Sequence, residues 1–172
     1  MQNLALVLGG AASGKSAYAE RLVSDTGRSK VYVATAQAWD AEMQAKIAHH
    51  RESRGSGWRT VEAPRDLGAA MRDLSPKDIV LIDCATMWLA NEMLAEADLA
   101  ASEAGLMAAL DACPAPVVVV SNEVGLGIVP DTPLGRRFRE AQGGLNQRLA
   151  ARAELVVLVA AGLPLVLKGS LP

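Results

Sequence analysis

Residues 1–22, MQNLALVLGGAASGKSAYAERL, decide how the rest of the chain is read. A short apolar run gives way to Gly9, Gly10, Ala11, Ala12, Ser13, Gly14, Lys15 and Ser16, and a helical pattern follows. Those eight residues fit G-x-x-x-x-G-K-[ST] in the strand-then-helix context that gives the pattern its meaning. Larger side chains would keep backbone N–H groups away from a phosphate, so a loop of Gly, Ala and Ser followed by a helix N-terminus suits an anion. Lys15 is expected at the β- and γ-phosphates of a nucleotide and Ser16 at Mg²⁺. A secretory leader, the other reading of an apolar run before Ala-Ala-Ser, is not expected. No positive residue precedes the run, and the run is too short.

Outward from this loop, near-continuous apolar runs at 4–8, 31–34, 79–82, 117–120 and 155–159 read as strands buried on both faces. Helical patterns at 16–24, 40–54, 65–74, 86–95, 99–112 and 134–153 alternate with them. That rhythm predicts an α/β fold with a parallel sheet and right-handed crossovers, its ligands at the carboxyl ends of the strands. LVVLVAAGLPLVLKG reads as two strands joined at Gly162, the last an antiparallel edge, where Pro164 is tolerated. With 172 residues, 51% of them hydrophobic, one domain is expected over 1–172. A formal charge of −2 argues against a nucleic-acid partner, and no run approaches the roughly 20 apolar residues of a membrane span. Cys84 and Cys113 match neither a zinc spacing nor a disulfide framework and read as thiols of a cytoplasmic protein.

The phosphate loop calls for an acid at a strand end to hold the metal or its water shell. Asp83, closing DIVLID, has that position, and it also suits the N-cap of the next helix; both roles can hold at once. A guanine-specific switch would carry Asn-Lys-x-Asp after a later strand. The sequence there is Ser121-Asn122-Glu123-Val124-Gly125, which argues against a switch. Asn122 and Glu123 end that strand, where a polar or proton-accepting role is reasonable.

His49 and His50 are adjacent within DAEMQAKIAHHRESRG. On a helix over 40–54, Glu42, Lys46, His50 and Arg54 share a stripe, and only Met43 and Ile47 are strongly apolar. A solvated surface histidine is the common reading of such a segment. A shared zinc is disfavoured, because neighbouring helical residues point about 100° apart. A nucleophilic imidazole is the third reading, with Lys46, Arg51 and Arg54 beside it to bind a triphosphate and disfavour ring protonation.

GGAASGKS, VATAQAWDAEM, KIAHHRESRG, WRTVEAP, the strand ending at Asp83, SNEVGLGIVPDTPLGRRFREAQGGLNQRLA and AGLPLVLKG together resemble the bifunctional adenosylcobinamide kinase / adenosylcobinamide-phosphate guanylyltransferase family of cobalamin biosynthesis. The likeness runs from the first strand to the last. It implies a P-loop, RecA-like three-layer fold and two reactions. ATP or GTP phosphorylates the aminopropanol hydroxyl of adenosylcobinamide; GTP then donates GMP through a histidine to adenosylcobinamide phosphate. His50 matches the guanylylated position and His49 its neighbour. By position and chemistry the nucleotide site extends to Ala34, Thr35 and Ala36 at a strand end, through backbone and hydroxyl groups, to Arg51, Glu52, Ser53 and Arg54 after the nucleophile, to Glu62 facing guanine and to Asp83. Glu62 otherwise reads as a surface glutamate at a strand end. Ser16 and Asp83 form the expected Mg²⁺ set, and a homotrimer is implied. Ala12 stands where the family's loop commonly carries arginine, which removes one loop cation and leaves the backbone cradle and Lys15 in place.

Overall fold

The computed structural model describes residues 3–37 and 55–172. The strands are β1 (Leu4–Gly9), β2 (Ser29–Ala34), β3 (Trp58–Glu62), β4 (Asp78–Asp83), β5 (Val117–Asn122), β6 (Leu155–Ala160) and β7 (Leu163–Lys168). The helices described are α1 (Lys15–Ser24), α2 (Leu67–Met71), α3 (Ala85–Leu94), α4 (Leu99–Ala112) and α5 (Pro133–Arg152). One sheet runs β3-β2-β4-β5-β1-β6-β7, parallel throughout except for β7, which is antiparallel to β6.

Alternate residues of each central strand feed opposite faces, as a pleated strand requires. Leu6, Val33, Ile82 and Val119 face a core closed by Leu67, Trp88, Leu106 and Leu145 of α2 to α5. Val7, Tyr32, Leu81 and Val118 face the other, closed by Ala19, Leu22 and Val23 of α1. Burial on both faces is why these strands appear in the sequence as unbroken apolar runs. Each fully buried Leu or Val contributes about 1.5–3 kcal/mol relative to exposure.

Helix starts follow local chemistry. The side chain of Asp98 accepts the Ala101 N–H at the head of α4, and that of Thr132 accepts the Gly135 N–H at the head of α5, where Pro133 occupies the first turn. α2 is shorter than the expected 65–74, because the Asp66 side chain caps at Ala69 N–H and sets the start at Leu67. Arg65 instead turns to Glu92, with Nε 2.7 Å from Oε1. Glu92 also accepts from Ser102 Oγ at 2.6 Å. Burial alone would push the Glu92 carboxyl up; the Arg65 and Ser102 bonds outweigh it and hold it below its ordinary value.

β3 was not among the expected strands. Its sequence, WRTVE, alternates rather than running apolar, and as the sheet's outer strand it is at best half-buried. The expected terminal pair is present: Ala161 (φ 50°) and Gly162 (φ 78°) make the two-residue turn between β6 and β7. Positive φ at both positions is the turn that matches strand twist, and Gly162 adopts it without a Cβ penalty. Pro164 lies on the outer strand, opposite Val159.

Candidate active site

The phosphate loop leaves β1 at Gly9 and enters α1 at Lys15. A Cβ on Gly9 would lie 2.3 Å from Ser13 Oγ and 2.7 Å from the Val159 carbonyl, so only glycine fits between the loop and β6. The loop is tied by Ser13 N–H to the Gly10 carbonyl at 3.3 Å. Gly162 N–H, in the β6–β7 turn, donates to the Ser13 carbonyl at 2.8 Å. Lys15 Nζ donates to the Gly10 carbonyl at 3.0 Å, which keeps the ammonium against the loop. Ala12 adopts φ 53° and its side chain is exposed.

Asp83 ends β4, but β4 is not the loop's neighbour: β5 lies between β1 and β4. Asp83 pairs with Val120, while Gly9 pairs with Asn122 two residues further along the same strand. The capping alternative for Asp83 does not hold, since Cys84 is the N-cap of α3. Asp83 Oδ2 instead accepts the Tyr32 hydroxyl at 3.1 Å. Cys84 is buried beside it, and burial together with the Asp83 charge pushes its thiol up to about 11, so it is protonated at neutral pH.

Thr35 differs from expectation at its hydroxyl. It is fully buried; Oγ1 donates to the Cys84 carbonyl at 2.8 Å and accepts the Cys84 N–H at 2.7 Å. Asn91 Nδ2 holds the Thr35 carbonyl at 2.9 Å. The hydroxyl is thus committed to joining β2 and β4 below the site. Ala34 pairs with Asp83 on one side and Glu62 on the other, so the three form a row along the carboxyl edge. Glu62 is exposed and four strand spacings from β1, about 19 Å at ~4.8 Å per spacing. The structure therefore gathers Gly9 to Ser16 into one loop and sets Asp83, Ala34 and Glu62 progressively farther along the edge. His49, His50, Arg51, Glu52, Ser53 and Arg54 lie outside the described residues.

A buried polar group beneath the end of β5 was not anticipated. Ser121 Oγ donates to Asn146 Oδ1 at 2.6 Å, and Gln142 Nε2 reaches both atoms at 2.9 Å. Asn146 Nδ2 donates to the Asn122 carbonyl at 3.1 Å, and Asn122 N–H to Thr86 Oγ1 at 2.8 Å. The signal in the sequence was Gln142 and Asn146, four apart on the stripe of α5 that also carries Leu145 and Leu149. The bonds of this buried group fix backbone position, here that of the strand end beside the phosphate loop, although Gln142 Oε1 and Asn122 Oδ1 have no partner among the described residues.

A glycine-rich loop joining the first strand to a helix, on a mostly parallel sheet with an aspartate closing β4, defines a P-loop nucleotide-binding protein. The chain belongs to the cobinamide kinase / cobinamide phosphate guanyltransferase family, whose sequence model matches residues 5–167. It is 44% identical to the bifunctional adenosylcobalamin biosynthesis protein CobP of Pseudomonas aeruginosa over 167 residues, 95% of this chain and 96% of that one. It is also 44% identical to the bifunctional adenosylcobalamin biosynthesis protein CobU of Salmonella typhimurium over 179 aligned positions, 95% and 98% of the two chains. Among solved structures, a prototypical ATPase from the type III secretion system of pathogenic bacteria has a similar fold, with TM-score 0.56 and 10% identity. That likeness covers 91% of this chain and 50% of the ATPase.

Proposed function

We propose that this chain catalyses both reactions in its family's description. In the first, the aminopropanol hydroxyl of adenosylcobinamide takes the γ-phosphoryl group of ATP or GTP. Loop N–H groups and Lys15 hold the phosphates where negative charge gathers in the transition state. In the second, a neutral imidazole nitrogen of His50 attacks the α-phosphorus of GTP; a P–N bond forms and the α–β P–O bond breaks, releasing pyrophosphate. A phosphate oxygen of adenosylcobinamide phosphate then displaces the imidazole, giving adenosylcobinamide-GDP and free His50. Arg51, Glu52, Ser53 and Arg54 follow the nucleophile, where guanidinium groups suit the triphosphate. Ala34, Ala36 and Glu62 belong to the same nucleotide region, with Glu62 complementary to the N1–H and N2–H donors of guanine. The observation that carries the reading is that the family match spans the phosphate loop and the His-His-Arg segment on one chain.

Mg²⁺ fits the residues present. Ser16 in the first turn of α1 and the Asp83 carboxylate supply hard oxygen donors. Among the described residues no cluster of three His, Cys, Asp or Glu could hold a metal alone, so phosphate oxygens and water would complete the shell. When bound, the ion neutralises phosphate charge.

The homotrimer is part of the same proposal. β7 presents Leu163, Leu165 and Leu167, all more than half exposed, at a sheet edge that pairs with no further strand among the described residues. Such an edge favours coverage by another copy of the chain. A cytoplasmic location is proposed as well; no helix among the described residues is long and apolar enough to cross a membrane.

Incubation with α-labelled GTP tests the reading. The expected product is a covalent label that is stable in alkali and labile in acid, as a P–N bond is. Labelling should fall below about pH 6, where an imidazole of ordinary pKa near 6.5 loses its free lone pair. His50→Ala should abolish the label and GMP transfer while phosphorylation of adenosylcobinamide stays measurable; His49→Ala should keep the label. A label that survives acid, or persists in His50→Ala, would leave a plain P-loop kinase as the better reading.

A further inference from the structure

We infer that Glu123 is the group that accepts the proton of the alcohol when it is phosphorylated. The inference rests on the kinase reading above and names a residue for a step that reading leaves open.

The topology selects the place. β5 is inserted between the loop-bearing β1 and the Asp83-bearing β4. Its end runs two residues past the level of Asp83, and Glu123 N–H donates to the carbonyl of Gly9, the first loop residue, at 3.0 Å. Glu123 therefore follows the one strand whose end adjoins both the phosphate loop and the metal-side aspartate. The other candidate bases there are committed. Asp83 accepts from Tyr32 and belongs to the metal set, and Cys84 is buried with both backbone polar groups held by Thr35.

The carboxylate is also held in place. Its Oε1 accepts the Gly125 N–H at 2.6 Å, and the Gly125 carbonyl in turn accepts from the Arg139 guanidinium. Oε2 makes no hydrogen bond to a described residue, which leaves one oxygen for a proton. Beneath it, Thr86, Gln142 and Asn146 fix the strand end through Ser121 and Asn122. A general base needs this combination of fixed backbone, one anchored oxygen and one oxygen to accept.

The step balances without a further reagent. The acceptor O–H bond breaks and its proton passes to Glu123 Oε2. The acceptor oxygen bonds to the γ-phosphorus as the γ-phosphorus–bridging-oxygen bond breaks, and the nucleoside diphosphate leaves. Glu123 then releases the proton to water. Gly125 is a positioning residue here: a Cβ at that position would stand 2.8 Å from Oε1, so Gly125→Ala displaces the carboxylate and meets no backbone.

The test is steady-state phosphorylation of adenosylcobinamide and of an analogue whose arm carries a trifluoromethyl group beside the hydroxyl, making that hydroxyl more acidic. Glu123→Gln should lower kcat for the natural arm by about 10²–10⁴, with the nucleotide KM little changed. The loss should be markedly smaller for the fluorinated arm, because an acidic alcohol needs less help to ionise. Gly125→Ala should show the same acceptor dependence in weaker form, and it answers the question if Glu123→Gln does not fold. An unchanged kcat, an equal loss with both alcohols, or recovery at raised Mg²⁺ overturns the assignment. If the unsubstituted enzyme phosphorylates neither alcohol, the kinase reading itself fails and the inference falls with it.

Discussion

The Tyr32 hydroxyl donates to Asp83 Oδ2 over 3.1 Å, linking β2 to β4 at the carboxyl edge of the sheet. The tyrosine ring is itself braced edge-on by Trp58 of β3, with centroids 6.1 Å apart. One carboxylate oxygen is thus oriented from the side remote from the phosphate loop. Tyr32→Phe should raise the Mg²⁺ concentration for half-maximal phosphorylation about fivefold, the equivalent of ~1 kcal/mol for one hydrogen bond. Asp83→Asn should lose more rate and recover part of it with added metal; a metal titration of the two variants checks both.

Lys15→Ala removes the cation that follows the transferring phosphoryl group. Phosphorylation of adenosylcobinamide should fall by at least about 100-fold. The fold should survive, because the only bond Lys15 Nζ makes to a described residue is to the nearby Gly10 carbonyl. Circular dichroism beside the kinase assay separates the two outcomes.

Gly9→Ala drives a methyl group toward Ser13 Oγ and the Val159 carbonyl. Ser13 can turn aside, but the carbonyl belongs to β6 and cannot, so the loop must shift. A stability loss of about 1–3 kcal/mol is expected, as for overpacking a filled site, together with weaker nucleotide binding. Calorimetric titration with ATP and with GTP measures the second effect.

Thr35→Val keeps the shape of the side chain and deletes the hydroxyl that serves both polar groups of the Cys84 backbone. A buried N–H left without its partner costs about 1–3 kcal/mol. For a chain of this size each kcal/mol lowers Tm by roughly 2–4 °C. Thermal unfolding read against the parent chain is the measurement.

Cys84 gives the fold an alkaline limit. Its thiol is raised from an ordinary 9.0 to about 11, chiefly by burial. Between those values the unfolded chain has released the proton while the folded chain retains it. The folded state then binds more protons, so stability is complete below pH 9 and declines as pH rises toward 11. Denaturant titrations across that range should show the decline, and Cys84→Ala should reduce it, leaving the share of Cys113, whose thiol burial also raises.

The central sheet was legible because burial on both faces writes strands as apolar runs, and the phosphate loop because its chemistry tolerates few side chains. β3 escaped notice for the opposite reason. An outer strand with one polar side reads as WRTVE, which no apolar run announces. The loop and the aspartate that closes β4 could be placed on their elements from sequence, whereas their spacing could not. That Asp83 stands one strand removed from β1 depends on where β5 inserts, a long-range pairing that no local pattern encodes. Thr35 was legible as a strand-end residue and not as a clamp, since its partner Cys84 is 49 residues away. The Ser121–Gln142–Asn146 group showed only as two amides on the apolar stripe of a helix.

The turn at Gly162 holds the carbonyl of Ser13, and β1 sits between β5 and β6. During synthesis the phosphate loop is therefore made well before β5, β6 and the Gly162 turn, and its seat exists only once they have followed. A ribosome-bound fragment ending before β6 has the sequence of a nucleotide site without the walls of one. Competence to bind arrives with the closing hairpin rather than with the loop. Once formed, every nucleotide bound at the loop also secures the hairpin, because ligand that binds only the folded state stabilises all the parts that fold with it.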